Sequence, residues 1–242
     1  MHELNRRYFD ILKNTNQEFV HKLGKDGLSG LFLASEPDGY QSAQNKIMLI
    51  GRETLGWGVV KTEPFSIESY IEASLDRHRK ELSKQKNTQG KAFHNFRREL
   101  DKNFGKDGLI YANLFCASFN KTMPRKSADY ETIKVLSKQL LWAQIEHFQP
   151  SVIIFACGLT GEAVTQRREL VPPVKCLERK TYEGIPNTNL WDFTIRELED
   201  CRINQPIRCF RIHHPSSTSP NAPKAQKKMI ELIKMHFAST SS

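Results

Sequence analysis

The chain has 242 residues, with 36 lysines and arginines against 27 aspartates and glutamates, a formal charge of +9. That length fits one large domain or two small ones, and it buries enough surface to need no disulfide or metal staple. Its apolar residues, 38% of the total, come in short blocks, the longest clean one being Val152–Cys157, far below the roughly 20 residues of a membrane span, so a membrane protein, a collagen-like chain and a disulfide scaffold are excluded. A soluble globular protein is expected, and the basic excess points to a polyanionic partner. The first residues, MHELNRRYFD, lack an apolar core behind their basic groups, so no secretory signal is expected. The five cysteines are widely and irregularly spaced without a CxxC pair. That pattern gives no support for a structural zinc or an iron–sulfur cluster, and it suits a reducing cytoplasm.

Taken in chain order, His2–Lys22 carries Leu4, Tyr8, Ile11, Leu12 and Phe19 at helical spacing. Lys46–Gly51 is an apolar run and predicts a strand. Ser66–Lys84 and Lys91–Asn103 read as polar surface helices, broken near Asn87–Gly90. A second apolar run, Gly108–Asn113, follows. Ala128–Phe148 is the clearest helix, with Ile133, Leu136, Leu140, Leu141, Ile145 and Phe148 on one face and Pro150 just past its end. Ser151–Gly158 predicts a third strand and Leu159–Leu170 the helix after it. Pro172–Asn189, rich in Pro, Gly and Asn, reads as a long connection. Pro206–His213 predicts a fourth strand, nearer an edge because it carries Arg208 and Arg211. Asn221–Phe237 closes the chain as a helix. Runs without apolar/polar alternation suit strands buried on both faces of a parallel sheet. The expected fold is a three-layer α/β/α sandwich around a mostly parallel, four-stranded sheet, in one domain over residues 1–242.

In an open α/β sheet, ligands bind outside the carboxyl ends of the strands. The first predicted strand runs into Gly51-Arg52-Glu53-Thr54-Leu55-Gly56-Trp57-Gly58. The second ends at Asn113, the third at Cys157-Gly158, and the fourth at His213-His214-Pro215-Ser216-Ser217. A carboxylate, an amide, a glycine turn and a histidine are thus expected on one edge.

IMLIGRE with its glycine-bearing loop, then LIYANLF, PSVIIFACG and RIHHPSS, in that order over Lys46–Ser217, resembles the uracil-DNA glycosylase superfamily. The resemblance implies that fold and cleavage of the N-glycosidic bond of uracil or another altered base in DNA. It implies that Glu53 positions water or steadies the sugar cation, and that His214 stabilises the leaving base. It also implies that Asn113 reads the base edge, that Phe65 stacks on the base with Trp57 as a competing stacker, and that Gly51 opens the base pocket. The chain departs from the family where Arg52 directly follows the glycine and Thr54 stands in place of a proline. Ser217 and Thr218 stand where duplex-acting members carry an apolar wedge, which points toward single-stranded substrate or another ligand.

The chemistry follows from the residue types themselves. Breaking an N-glycosidic bond builds positive charge on the sugar and negative charge on the base, and a carboxylate and a histidine donor match that polarity. An amide offers both a donor and an acceptor to a base edge. Each residue also has a plainer reading: Glu53 paired with Arg52, Asn113 capping a turn, Trp57 and Phe65 in the core, Cys157 a buried thiol, and His213 packed or hydrogen-bonded. The nine lysines and arginines of Arg77–Lys102, Arg97 and Arg98 among them, read either as a solvated helical face or as a phosphate-tracking surface. Lys224, Lys227 and Lys228 extend the second reading, as do Ser216 and Ser217 beside a helix N-terminus. The expectation is a monomeric, cytoplasmic glycosylase-like hydrolase without cofactor or metal, bound to single- or double-stranded DNA and not to membrane. A non-catalytic nucleic-acid-binding protein of the same fold, or a hydrolase of small nucleosides or nucleotides, stands beside it.

Overall fold

Apolar blocks buried away from water must pair their backbone groups with one another, and here they form the centre of a sheet. The computed structural model describes residues 3–59, 61, 63–84, 90–159 and 161–240. His2, Lys86 and the stretch 87–89 of the expected helix break lie outside the described residues. The elements in chain order are α1 (Glu3–Lys13), α2 (Gln17–Lys22), β1 (Ile47–Gly51), α3 (Ile67–Leu82), α4 (Lys91–Phe104), β2 (Leu109–Asn113) and α5 (Tyr130–Phe148). There follow β3 (Val152–Phe155), α6 (Glu162–Leu170), β4 (Leu177–Lys180), β5 (Leu190–Ile195), β6 (Ile207–Ile212) and α7 (Ala222–Thr240). The long N-terminal helix is broken in two, and Asn16 caps the second piece by accepting from the Glu18 and Phe19 N–H groups at 2.9 and 3.3 Å.

Among the described residues the sheet has six strands in the order β2-β1-β3-β6-β5-β4, which corrects the expected four. β1, β3 and β6 run parallel. β5 is antiparallel to β6, and β4 to β5, so β4 again points with the majority. The two additional strands escape an apolar-run reading for physical reasons. Every residue of β4 is exposed, so backbone pairing alone defines it. β5 buries Asp192 in its middle, a residue depleted in strands. The stretch Pro172–Asn189, read as a connection, contains β4. β6, expected nearer an edge, lies inside the sheet because its two arginines are accommodated on opposite faces.

The chain forms two compact units. The first comprises Met1–Ser35, Arg52–Gly90 and Ala112–Phe148, and the second Glu36–Gly51, Lys91–Tyr111 and Gln149–Ser242. In the first, α1 packs on α3 and α5, the Tyr8 hydroxyl donates to the Ala34 carbonyl at 3.0 Å, and Arg7 pairs with Glu146 at 3.0 Å. Three irregular segments of this unit are laced by backbone bonds. The Phe32 N–H donates to the Cys116 carbonyl at 2.8 Å, Phe115 to Arg52 at 2.9 Å, and Ser29 to Ser118 at 2.9 Å.

The second unit holds the sheet with α4, α6 and α7. Arg208 of β6 donates to the Leu232 carbonyl of α7 at 3.2 Å, while Arg211, of opposite parity on the same strand, feels the charge of Arg167 on α6. Side chains alternate across a strand, so α6 and α7 cover opposite faces of the sheet. On the α7 face, the Asp192 carboxylate, 1% exposed, accepts from Arg208 Nη2 at 2.7 Å and Nε at 3.2 Å, and from the Tyr182 hydroxyl. Burial and then the neighbouring carboxylate push the Tyr182 phenol up to about 12.

Truncating one partner of a buried ion pair leaves the other charge uncompensated. Asp192→Ala is therefore expected to lower the unfolding free energy by about 3–5 kcal/mol, read from urea denaturation. A loss under about 1 kcal/mol, the scale of a solvent-screened pair, would contradict this account of the network.

Candidate functional site

In the first unit the chain leaving β1 carries Arg52, Glu53, Thr54 and Trp57. The Glu53 side chain is 2% exposed. Both of its carboxylate oxygens accept from its neighbour: Oε1 from Arg52 Nη2 at 2.9 Å, Oε2 from Arg52 Nε. The plainer reading of Glu53, an ion pair with Arg52, is the arrangement found. A carboxylate so engaged acts on water only when the guanidinium gives up an oxygen.

Asn113 closes β2 and is 4% exposed, with neither Oδ1 nor Nδ2 hydrogen-bonded. It caps no turn. Two further polar atoms without a partner, Thr54 Oγ1 and Trp57 Nε1, belong to the segment tied to the residues after Asn113 by the Phe115–Arg52 backbone bond. Most buried polar atoms find a partner, and leaving one unmade costs about 1–3 kcal/mol. A donor–acceptor amide, a hydroxyl and an indole N–H left unsatisfied along two joined segments make a set suited to a small polar ligand.

The aromatic candidates differ. Trp57 is 6% exposed, with the Arg77 guanidinium 4.4 Å above its ring and Phe32 at 5.1 Å. Arg77 covers one face of this buried ring, and the indole N–H is the group it can offer. Phe65 is half-buried, with His21 at 4.8 Å, Tyr70 at 5.9 Å and the Lys61 ammonium 5.3 Å from its ring. Burial, and then Lys25, lower the Lys61 pKa, and its Nζ donates to the Val20 and His21 carbonyls.

In the second unit Gly51 ends β1, fully within the strand. His214 follows β6, its ring 6.1 Å from Phe93 and inclined by 28°, while Phe93 also meets Tyr111 at 5.1 Å. The Ser216 backbone N–H donates to His214 Nδ1 at 3.2 Å. Nδ1 is thus an acceptor, and the proton of the neutral ring belongs on Nε2. In that tautomer the donor of the ring is Nε2–H. His213 is held differently. Its Nε2 bonds Asn189 Oδ1 at 2.6 Å, Ser217 Oγ lies 3.3 Å from its Nδ1, and burial followed by Arg211 lowers its pKa. Phe93 and Tyr111 carry a signal only in combination: each reads as core until the strand and helix are placed.

The residues expected to grip phosphate are largely engaged internally. Arg97 is buried and pairs with Asp101 at 2.9 Å; Arg98 donates to Asn95 at 2.7 Å. Lys224 donates to the Gly184 carbonyl at 3.0 Å, Ser217 Oγ accepts from the Ser219 N–H, and the Ser216 hydroxyl faces His214 Nδ1 at 2.7 Å. Arg77 of α3 and Lys84 just past its end both pair with Glu81 at 2.8 Å, and Lys80 pairs with Asp76 at 2.6 Å. Burial alone raises the Glu81 pKa, but bonds from Lys84 and Arg77 overcome it and hold the carboxyl at about 2.

All five cysteines are buried and unbridged, and burial pushes the Cys116 thiol up to about 12. Among the described residues no three His, Cys, Asp or Glu side chains gather as a metal site requires, and no helix is long and apolar enough to cross a membrane. Compared with known proteins, the chain matches no family model and no curated protein.

Two outcomes follow. Asn113→Leu, which replaces an unsatisfied amide by an apolar group of similar shape, is expected to raise the unfolding free energy by about 1–3 kcal/mol in denaturant titration, whereas a loss of that size would show the amide to be satisfied. The Glu81 pKa lies below its ordinary 4.5 in the folded state, so its stabilisation is complete above about pH 4.5 and is lost as pH falls toward 2. Glu81→Gln should therefore be clearly less stable than the parent at pH 7, with the difference shrinking in acid unfolding as pH approaches 2.

Proposed function

We propose that the chain is a glycosylase-like hydrolase that recognises an altered base in DNA and breaks its N-glycosidic bond. The observation that carries the reading is Asn113: a buried amide with donor and acceptor both unused, at the end of a strand, where α/β proteins place ligands. Such an amide matches the paired donor and acceptor of a pyrimidine edge, and Thr54 Oγ1 and Trp57 Nε1 add a hydroxyl and a donor. Phe65, half-buried, is the stacking ring that the resemblance implies. In the reaction, the bond between the sugar C1′ and the base nitrogen breaks and its electron pair leaves with the base. The donor for that anion is the role that the resemblance gives to His214. Water adds to C1′, and its proton goes to a carboxylate, Glu53, once Arg52 releases an oxygen. The resemblance of the motifs in order to the uracil-DNA glycosylase superfamily, and the α/β fold with α6 and α7 on opposite faces of the sheet, support the same reading.

The test is an abasic-site assay on single- and double-stranded oligonucleotides carrying uracil, hypoxanthine or a mismatch. Product is expected on at least one. His214→Ala, which removes one preorganised donor, should cost about 10²–10³ in rate, and Asn113→Leu should abolish base discrimination. Absence of product on every substrate with folded protein would overturn the catalytic reading.

One observation favours a second reading, in which the same fold binds nucleic acid without cutting: both Glu53 oxygens are held by Arg52. Binding that weakens with salt at about −0.9 per phosphate contact, with no abasic product, would select it. A flat salt response would remove both readings.

A further inference from the structure

Among the described residues, two arginines of the second unit have no acid in salt-bridge contact. Arg167, on α6, is 2% exposed, and its Nε and Nη1 have no hydrogen-bond partner. Arg211, on β6, donates one Nη2 bond to the Asn187 carbonyl at 2.7 Å, while its buried Nε has none. Arg211 feels Arg167, Arg168 and the Cys157 thiol, and Arg167 feels Arg168 and the thiols of Cys157, Cys176 and Cys209. Burial, and then Arg167 itself, lower the Arg211 pKa to about 10, and burial lowers that of Arg167. Buried charge is ordinarily paired. The neighbouring Arg208 shows the usual solution, with Asp192 at 2.7 Å.

The stacking partner is Trp191. It lies opposite Arg211 in the β5–β6 ladder, and the Arg167, Arg179 and Arg211 guanidinium carbons are 5.4, 5.4 and 5.2 Å from its ring centre. Cation–π contact eases the desolvation of a guanidinium but leaves its N–H groups unmade. Trp191 and Arg211 are half-exposed, and Arg168 and Arg179 are exposed, so the cluster opens to solvent.

We propose that Arg167 and Arg211 form a binding site for a phosphate monoester or inorganic phosphate dianion, with Trp191 fixing the guanidiniums and Arg168 at the entrance. One buried and one half-buried guanidinium call for about two negative charges, which a single carboxylate does not carry, and the three unpartnered nitrogens, Arg167 Nε and Nη1 and Arg211 Nε, suit a tetrahedral group with several acceptor oxygens. The site is built from the second unit alone and does not depend on the glycosylase reading.

Thermal unfolding at constant ionic strength, with inorganic phosphate exchanged for chloride, tests it. Phosphate at about 100 times Kd should raise the Tm by roughly 5–10 °C. Arg167→Met and Arg211→Gln should each abolish that rise. Arg167→Met should be no less stable than the parent without phosphate, because it removes an uncompensated charge. No phosphate-specific rise in the parent, or an equal rise in both variants, overturns the proposal. If one variant fails to fold, the other and ³¹P line broadening of phosphate by the parent decide in its place. A 5′-phosphorylated oligonucleotide that acts at lower concentration than inorganic phosphate, while its 5′-hydroxyl twin does not, would identify a nucleic-acid end as the source. Equal behaviour of the two oligonucleotides beside a phosphate-induced rise would identify the free ion.

Discussion

A strand buried on both faces has no room for polar side chains, and this constraint orders the rest of the molecule. Ile47 to Ile50 and Val152 to Phe155 are fully buried, so their backbone polar groups pair only along the ladder. Polar chemistry is displaced to where the ladder stops. That is where the chain places Arg52 and Glu53 after β1, Asn113 at the end of β2, and the two histidines after β6. The irregular segments there must satisfy their own backbone, and in the first unit they do so by running together, Phe32 with Cys116 and Phe115 with Arg52. Side chains on such segments are held firmly without being consumed by the fold.

The basic excess is distributed unevenly in consequence. On α3 and α4 several cations are matched by acids one turn away, as in Arg77 with Glu81, Lys80 with Asp76 and Arg97 with Asp101. Those pairs follow from helical geometry and neutralise a run of charge that looks free in one dimension. The costly unmatched charge lies instead inside the second unit, at buried Arg167 and half-buried Arg211, where a missing partner matters most. Charge count alone therefore misjudges where an anion is attracted.

The fold was legible where apolar pattern and burial coincide. Lys46–Gly51, Gly108–Asn113, Ser151–Gly158 and Pro206–His213 all contain strands of the sheet, and the helices between them were readable from spacing and caps. β4 was not, because an exposed strand has no apolar pattern to read. β5 was not, because its buried Asp192 is explained only by Arg208 and Tyr182, which lie 16 and 10 residues away. Among the candidate residues, Asn113 and His214 were nameable from their places at strand ends. Trp57 was nameable too, but that Arg77 would cover its ring depends on how α3 packs.

Residue order by itself determined the alternation of strands and helices, the strand-end location of the polar groups, and the pairing of charges one turn apart, since these depend on neighbours along the chain. Only the tertiary structure decided which polar groups remain unsatisfied. The empty amide of Asn113, the engaged carboxylate of Glu53, the acceptor Nδ1 of His214 and the unpaired guanidiniums of Arg167 and Arg211 are all statements about partners. A partner across a sheet face or between laced loops is set by packing in three dimensions, and spacing along the chain does not record it.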